Sequence, residues 1–244
     1  MSNVIQEQWR VFEDDPVLQR IKPKGLPILF EDEDVEMGES SAHTRTCDIL
    51  LYGLEFHFAD RTDYRVFGNL NLHYAPNEPA AYVSPDLMVV QPDHPLPDDI
   101  SSYQIGREGP APVLTVEVLS FRTHQQGDLT NKPILYASLG IEEYILVDVP
   151  GAMLTQRLLL LRRQANGKWT DEQDADGGVT SRLGFRVIVD RDGQVRVVDT
   201  KSGTHYARPG EAQIEAEARR QAEERIRQLE EELARLRGET PKQG

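Results

Sequence analysis

A single glutamate interrupts one of the most apolar stretches of the chain. Glu117 lies within residues 112–120, a run of mainly Val and Leu residues that is typical of a buried strand. A buried carboxylate without a partner is costly or becomes protonated, so Glu117 should have a cation or a hydrogen-bonding partner nearby. Candidate partners are Asp86, which precedes a short apolar strand, and Lys132, early in the next helix. Two carboxylates and a lysine at strand ends suggest a divalent-metal site for phosphodiester hydrolysis.

Each of these residues also has a simpler interpretation. Asp86 alone fits a turn or a strand edge, and Glu117 fits a structural ion pair. Most lysines near the start of a helix are solvated, which is the plain interpretation of Lys132. Asp128, four residues earlier, suits the N-cap of a helix beginning at Leu129. The pattern of apolar residues decides which elements would position them.

Apolar spacing predicts an α/β protein with a mixed sheet flanked by helices. Helical spacing marks one helix that Ser40 or Ser41 can cap and another that ends at Gly140. Glu117 shares a strand face with Thr115 and Leu119, a mixed environment that suits the floor of a cleft. Helices are predicted at 41–59 and 129–139, and strands at 64–74, 81–90, 113–119, 144–149 and 157–163, with a hairpin over 186–199 that turns at Asp192-Gly193.

The start of the first helix holds two further polar side chains. Glu39 and His43 are four residues apart and share a helical face, for which capping and a surface imidazole are the plain interpretation. The chain's histidines form neither a recognisable zinc pair nor a nucleophile–base arrangement.

The chain divides into three segments by composition. Residues 1–38 form an acidic, extended lead segment, residues 39–208 the folded domain, and residues 211–237 a charged helix. In that helix Ala222, Ile226, Leu229, Leu233 and Leu236 follow a/d spacing for about two heptads. It fits a solvated or docked helix, or a short coiled coil that forms a homodimer or binds a partner protein.

Composition restricts the classes of function. The formal net charge of −14 argues against a broad basic surface for nucleic acid. Cys47 is the single cysteine, so neither a disulfide framework nor a cysteine-based zinc site is expected. No stretch approaches the roughly 20 apolar residues of a membrane span. A soluble, cytoplasmic protein without membrane contact is therefore expected.

Several motifs, taken together and in order, resemble the Uma-type family of putative restriction endonucleases, which is assigned to the PD-(D/E)xK nuclease superfamily. The resemblance covers roughly residues 36–200. It is carried by Ser84-Pro-Asp-Leu-Met-Val-Val90, Leu114-Thr-Val-Glu-Val-Leu-Ser120, Asp128-Leu-Thr-Asn-Lys132 with Tyr136-Ala137 and Gly140-Ile141, Glu143-Tyr-Ile-Leu-Val-Asp148, and Met37-Gly-Glu-Ser-Ser-Ala-His43.

The resemblance implies a role for each matching residue. Asp86 matches the aspartate of the PD motif and Glu117 the second acid, and these would hold Mg²⁺ or Mn²⁺ together with the backbone carbonyl of Val118. The superfamily's usual lysine position is Leu119 here, and Lys132 matches the lysine that this family is thought to take from the following helix. Glu39 matches the glutamate of the family's first helix and would hold a metal-bound water or a second metal.

The resemblance implies a metal-dependent endonuclease with DNA as the expected substrate and a restriction-endonuclease-like fold. The alternative is a catalytically inactive nuclease-fold module that binds a protein partner through its C-terminal helix. The acidic balance of the chain favours that module, because phosphate contacts normally dominate affinity for nucleic acid. A small-molecule phosphoesterase would need the same metal site but no nucleic-acid groove.

Overall fold

The computed structural model describes residues 40–75, 81–120 and 124–236. The first helix begins where the sequence predicts, because the Ser40 side chain accepts a hydrogen bond from the His43 N–H at 3.2 Å. The elements are α1 (Ser41–Phe58), β1 (Arg65–Gly68), β2 (Leu72–His73), β3 (Tyr82–Val83), β4 (Leu87–Val90), β5 (Tyr103–Gln104), β6 (Leu114–Val118), a π-helical segment (His124–Asn131), α2 (Lys132–Leu139), β7 (Glu143–Val147), β8 (Leu158–Arg163), β9 (Trp169–Glu172), β10 (Val179–Thr180), β11 (Phe185–Val189), β12 (Val195–Asp199) and α3 (Glu211–Leu236).

Six strands of the described residues form the central sheet, in the order β1-β4-β6-β7-β8-β9. Strands β6 and β7 are parallel, and the π-helical segment and α2 make the crossover between them. The other neighbouring strands of this sheet are antiparallel. Smaller sheets are formed by β10-β11-β12 and by β3-β2-β5. The mixed α/β architecture predicted from the sequence is confirmed.

The central sheet is buried on both faces. Val116 and Val118 of β6 pack in a cluster with Leu50 and Leu54 of α1. On the opposite face, Leu146 of β7 packs in a second cluster with residues of α2. The face predicted as a cleft floor is instead covered by a helix, and this is the face that carries Glu117.

Helix α1 also packs closely on the β10-β11-β12 sheet. Gly53 makes this approach possible, since a Cβ there would lie 2.7 Å from Cγ2 of Val197 in β12. The β11–β12 hairpin turns at Asp192-Gly193, as predicted, with Gly193 at φ 81°.

Three predicted elements differ from the structure. The strand expected at 64–74 is broken at Asn69, whose φ is 51°, so β1 and β2 belong to different sheets. The strand expected at 81–90 is interrupted before β4, which leaves Asp86 immediately ahead of that strand. The helix expected from residue 129 begins as α at Lys132, after the π-helical segment, and ends as predicted at Gly140 with φ 84°.

The described residues separate into two compact units, one that ends at Tyr206 and one that begins at Ala207, and α3 belongs to the second. Ile226, Leu229 and Leu233 of α3 are each exposed. No helix in the described ranges has the length and apolar character needed to cross a membrane.

Candidate active site

The register of β4 against β6 places Asp86 beside Glu117. Leu87 pairs with Val116, so the next position along the strands brings the two acidic residues opposite each other. The Asp86 N–H donates to Glu117 Oε2 at 3.4 Å, and the Val118 N–H donates to Asp86 Oδ2 at 2.7 Å. Val118, whose carbonyl is predicted to bind the metal, therefore lies beside Asp86, and its N–H orients the Asp86 carboxylate. Metal binding by the Val118 carbonyl stays a prediction.

Glu117 is buried, and each of its two carboxylate oxygens has a polar partner. Its side chain is 2% exposed, and Tyr136 donates a hydrogen bond to its Oε1 at 2.8 Å. Burial raises the pKa of Glu117 to about 8, and the nearby charge of Asp86 adds to this effect while Lys132 opposes it. The charge of Lys132 therefore only partly offsets the effect of burial, and a further cation would stabilise the ionised Glu117 carboxylate.

Lys132, the first residue of α2, supplies one positive charge to this centre. Its Nζ lies 2.7 Å from Glu117 Oε2 and 2.9 Å from Asp128 Oδ1. Burial alone would lower the pKa of Lys132, but the negative charges of Glu117 and Asp128 outweigh it and raise the pKa. The Lys132 side chain keeps 19% of its surface exposed, so the residue lies where the buried centre meets solvent.

Asp128 does not cap a helix, contrary to the sequence prediction. It lies inside the π-helical segment, and its buried side chain pairs with Lys132 one turn later. The N-cap position of α2 is Asn131, which makes no side-chain capping bond. Tyr144 donates to the Asp128 backbone carbonyl at 2.8 Å, which ties the π-helical segment to β7.

Tyr136 is a site residue whose role the sequence did not reveal. It follows Lys132 by four residues, so both side chains extend from one face of α2 toward Glu117. Its ring is fully buried, and burial together with the charge of Glu117 raises the pKa of its hydroxyl. Tyr136 therefore remains a hydrogen-bond donor that orients the glutamate. The helical spacing to Lys132 was the signal that could have identified it.

His43 reaches the same centre from α1. The interpretation as a surface imidazole is wrong, because the residue is buried and its Nε2 lies 3.3 Å from Asp86 Oδ2. Its Nδ1 lies 3.9 Å from the Sγ of Cys47. Hydrogen bonds to Asp86 and then to Cys47 raise the pKa of His43 to about 11, against the opposing effect of burial. The spacing of His43, Cys47 and Leu50 along one apolar face could have identified it.

Glu39, the remaining candidate, lies outside the described residues. The structure thus brings together Asp86, Glu117, Val118 and Lys132, which the sequence proposed.

The donors of this centre fit a hard divalent cation. Asp86 and Glu117 offer carboxylate oxygens, which Mg²⁺ prefers in proteins. Each carboxylate oxygen has two lone pairs, so a cation can be accepted beside the hydrogen bonds already present. The raised pKa of Glu117 supports this fit, because a further positive charge would stabilise its ionised form.

Comparison with known proteins relates the chain to one protein family and to solved structures. A model of the Uma2 family, described as "Putative restriction endonuclease", matches residues 28–189. A crystal structure of a putative nuclease belonging to DUF820 from Anabaena variabilis ATCC 29413 is similar with a TM-score of 0.45 and 16% sequence identity, over 59% of this chain and 74% of that chain. No curated protein matches the chain.

Proposed function

The chain belongs to the Uma2 family, which is described as "Putative restriction endonuclease", and on that premise we propose that it is a Mg²⁺- or Mn²⁺-dependent endonuclease that hydrolyses phosphodiester bonds in DNA. The observation that supports this most is the meeting of Asp86, Glu117 and Lys132. Strand register brings the two carboxylates together, and the lysine reaches them from α2 at 2.7 Å from Glu117. The usual lysine position, Leu119, holds a buried apolar residue.

Each side chain has a distinct part in the proposed reaction. Asp86 and Glu117 would hold Mg²⁺, which lowers the pKa of bound water and offsets charge on the phosphate. Lys132, held by Glu117 and Asp128, would place its ammonium group against the phosphate oxygens, where negative charge develops. Tyr136 fixes the Glu117 carboxylate by donating to Oε1. We propose DNA as the substrate and Mg²⁺ as the ion that this site binds.

Cleavage by the purified full chain tests the proposal. Supercoiled plasmid, single-stranded DNA and RNA are incubated with Mg²⁺, with Mn²⁺, or with a chelator. Relaxation and linearisation of plasmid identify endonuclease activity on DNA, and preference for RNA or for short phosphodiesters contradicts the proposed substrate.

The matched variants are Glu117→Gln and Glu55→Gln. Glu117→Gln keeps the shape of the side chain and removes the charge, so cleavage is expected to fall by more than about 100-fold, as the loss of several kcal/mol of charge stabilisation requires. Glu55 is exposed on α1, and its replacement controls for loss of a surface charge. Equal activity of the two variants would place the chemistry elsewhere.

A second candidate function is a binding module that acts through α3. The observation that favours it is the stripe of exposed apolar side chains formed by Ile226, Leu229 and Leu233, with exposures of 56%, 43% and 51%. Exposed apolar residues at a/d spacing favour pairing with another helix. Absence of cleavage by the wild-type chain, together with absence of metal binding in calorimetry, would favour this module over the enzyme.

A further inference from the structure

A second set of metal-binding atoms lies on the α1 side of Asp86. His43, Cys47 and Asp86 each offer one donor atom, and these atoms all lie within 4.8 Å of one another. The set contains an imidazole nitrogen, a sulfur and a carboxylate oxygen. Glu117 and Lys132 are not members of this set, so it differs in chemistry from the oxygen-only pair described above.

The fold holds these donors in place before any ion binds. His43 and Cys47 are four residues apart on α1, so their side chains extend from one face of the helix. Ser40 caps the helix at the His43 N–H, and the Val118 N–H anchors Asp86 at 2.7 Å. His43 and Cys47 are both less than a tenth exposed, so an ion bound there would be shielded from water.

The donor types favour a borderline-soft transition metal over Mg²⁺. Sulfur and imidazole are ligands for Zn²⁺ and its neighbours in the first transition row, whereas Mg²⁺ prefers oxygen. The Cys47 thiolate and the Asp86 carboxylate together balance the charge of a dication. The ion with its ligands is then neutral overall, which lowers the cost of burying it. Ligand atoms of a tetrahedral site lie about 3.5 Å apart. The donor atoms of His43, Cys47 and Asp86 lie within 4.8 Å of one another, so their longest separation would have to shorten by roughly 1 Å when an ion binds.

We propose that His43, Cys47 and Asp86 form a binding site for a transition-metal dication of the Zn²⁺ type. Three protein ligands leave a fourth position for water or a ligand oxygen, as in zinc sites that take part in chemistry. The site shares Asp86 with the proposed nuclease centre. It does not depend on the chain cleaving nucleic acid.

Cobalt(II) is the probe for this site, because it takes the same ligands as Zn²⁺ and reports them by absorption. The full-length chain, freed of metal by a chelator, is titrated with Co²⁺ at about pH 8, where the bound ion must displace the protons of the thiol and the imidazole. A sulfur-to-cobalt charge-transfer band is expected at one equivalent. Because the chain contains one cysteine, such a band can arise only from Cys47. Addition of Zn²⁺ should abolish the band.

Three variants decide the assignment. Cys47→Ser should abolish the charge-transfer band. His43→Gln should weaken Co²⁺ binding by more than the 10- to 100-fold typical of losing an outer-shell partner. The control is His57→Gln, which removes another histidine of α1 that contacts Tyr206 and Asp199 away from the site, and it should leave the titration unchanged. Circular dichroism confirms that each variant is folded.

The outcomes also separate this site from the nuclease centre. Glu117→Gln should keep the cobalt band while losing cleavage. A wild-type chain with no charge-transfer band, or with binding that His43→Gln leaves unchanged, overturns the proposal even if Mg²⁺-dependent cleavage is observed. A cobalt band without any cleavage supports this site and counts against the nuclease.

Discussion

Replacing Lys132 with methionine is expected to destabilise the fold by an amount that depends on pH. The Lys132 ammonium lies 2.7 Å from Oε2 of Glu117, whose side chain is 2% exposed. Removing one partner of a buried ion pair costs about 3–5 kcal/mol when the other remains ionised. Methionine fills a similar volume, so the loss of charge and of hydrogen bonds is the main change.

The pH dependence follows from the pKa of Glu117. That pKa is raised from 4.5 to about 8 in the folded chain. The contribution of Glu117 to the free energy of unfolding is therefore largest below pH 4.5 and is lost as the pH rises through about 8. Below pH 8 the Glu117 carboxyl is largely protonated in both proteins. The variant then loses the hydrogen bonds to Glu117, about 1–2 kcal/mol, together with the ion pair of Lys132 and Asp128 at 2.9 Å. Lys132 lowers the pKa of Glu117, so in the variant this pKa rises further. Above pH 8 the difference should therefore grow by about 1.4 kcal/mol per pH unit, up to the full cost of about 3–5 kcal/mol.

Urea unfolding at several pH values between 6 and 9.5 measures this difference. Lys168→Met, at an exposed lysine, is the matched control and should show a small, constant effect. The same Lys132→Met change in a Glu117→Gln background should lose the pH dependence that comes from Glu117, because residue 117 no longer titrates. A difference that is flat across the range, or that still rises in the Gln background, would refute the reasoning.

Three further predictions concern other contacts. Tyr136→Phe removes the hydroxyl that donates to Glu117 at 2.8 Å, so the free energy of unfolding measured in urea should fall by about 1–3 kcal/mol. Cleavage activity should fall as well. An unchanged unfolding midpoint would show that the bond adds no stability. Gly53→Ala should destabilise the chain by about 1–3 kcal/mol, because the new Cβ meets Val197 at 2.7 Å, and Val197→Ala should restore part of the loss in a double-mutant cycle. Leu229→Glu should lower any self-association measured by sedimentation without changing the melting temperature of the residue 1–206 unit; equal sedimentation of both proteins would argue against pairing through α3.

Much of the fold could be predicted from local pattern. Apolar spacing located α1 and its Ser40 cap, and the run around Glu117 located β6 with Val116 and Val118 on one face. These features depend on neighbours a few residues away, which the sequence displays directly. The predicted boundaries failed where a short irregularity interrupts a regular pattern, as at Asn69, whose φ of 51° ends β1 although apolar alternation continues past it; Gly68-Asn69 was the turn signal that could have located this break.

The π-helical segment shows a second kind of failure. Residues 129–139 have the spacing of a continuous helix, but the segment before Lys132 widens to π geometry. Because this segment begins at His124, Asp128 lies inside it and pairs with Lys132, four residues later. Tyr144 also donates a hydrogen bond to the Asp128 carbonyl, a contact from another element that no local capping rule includes.

The sequence by itself determined which side chains were available for chemistry: two acids at strand ends and a lysine in the next helix, in the order typical of their family. It also determined that Glu117 would be buried, since apolar residues flank it on both sides. The tertiary structure alone decided their distances. Asp86 meets Glu117 and Val118 across 31 and 32 residues through the register of β4 on β6, and His43 meets Asp86 through the packing of α1. Such contacts depend on how whole elements pack, which a strand or helix pattern does not encode.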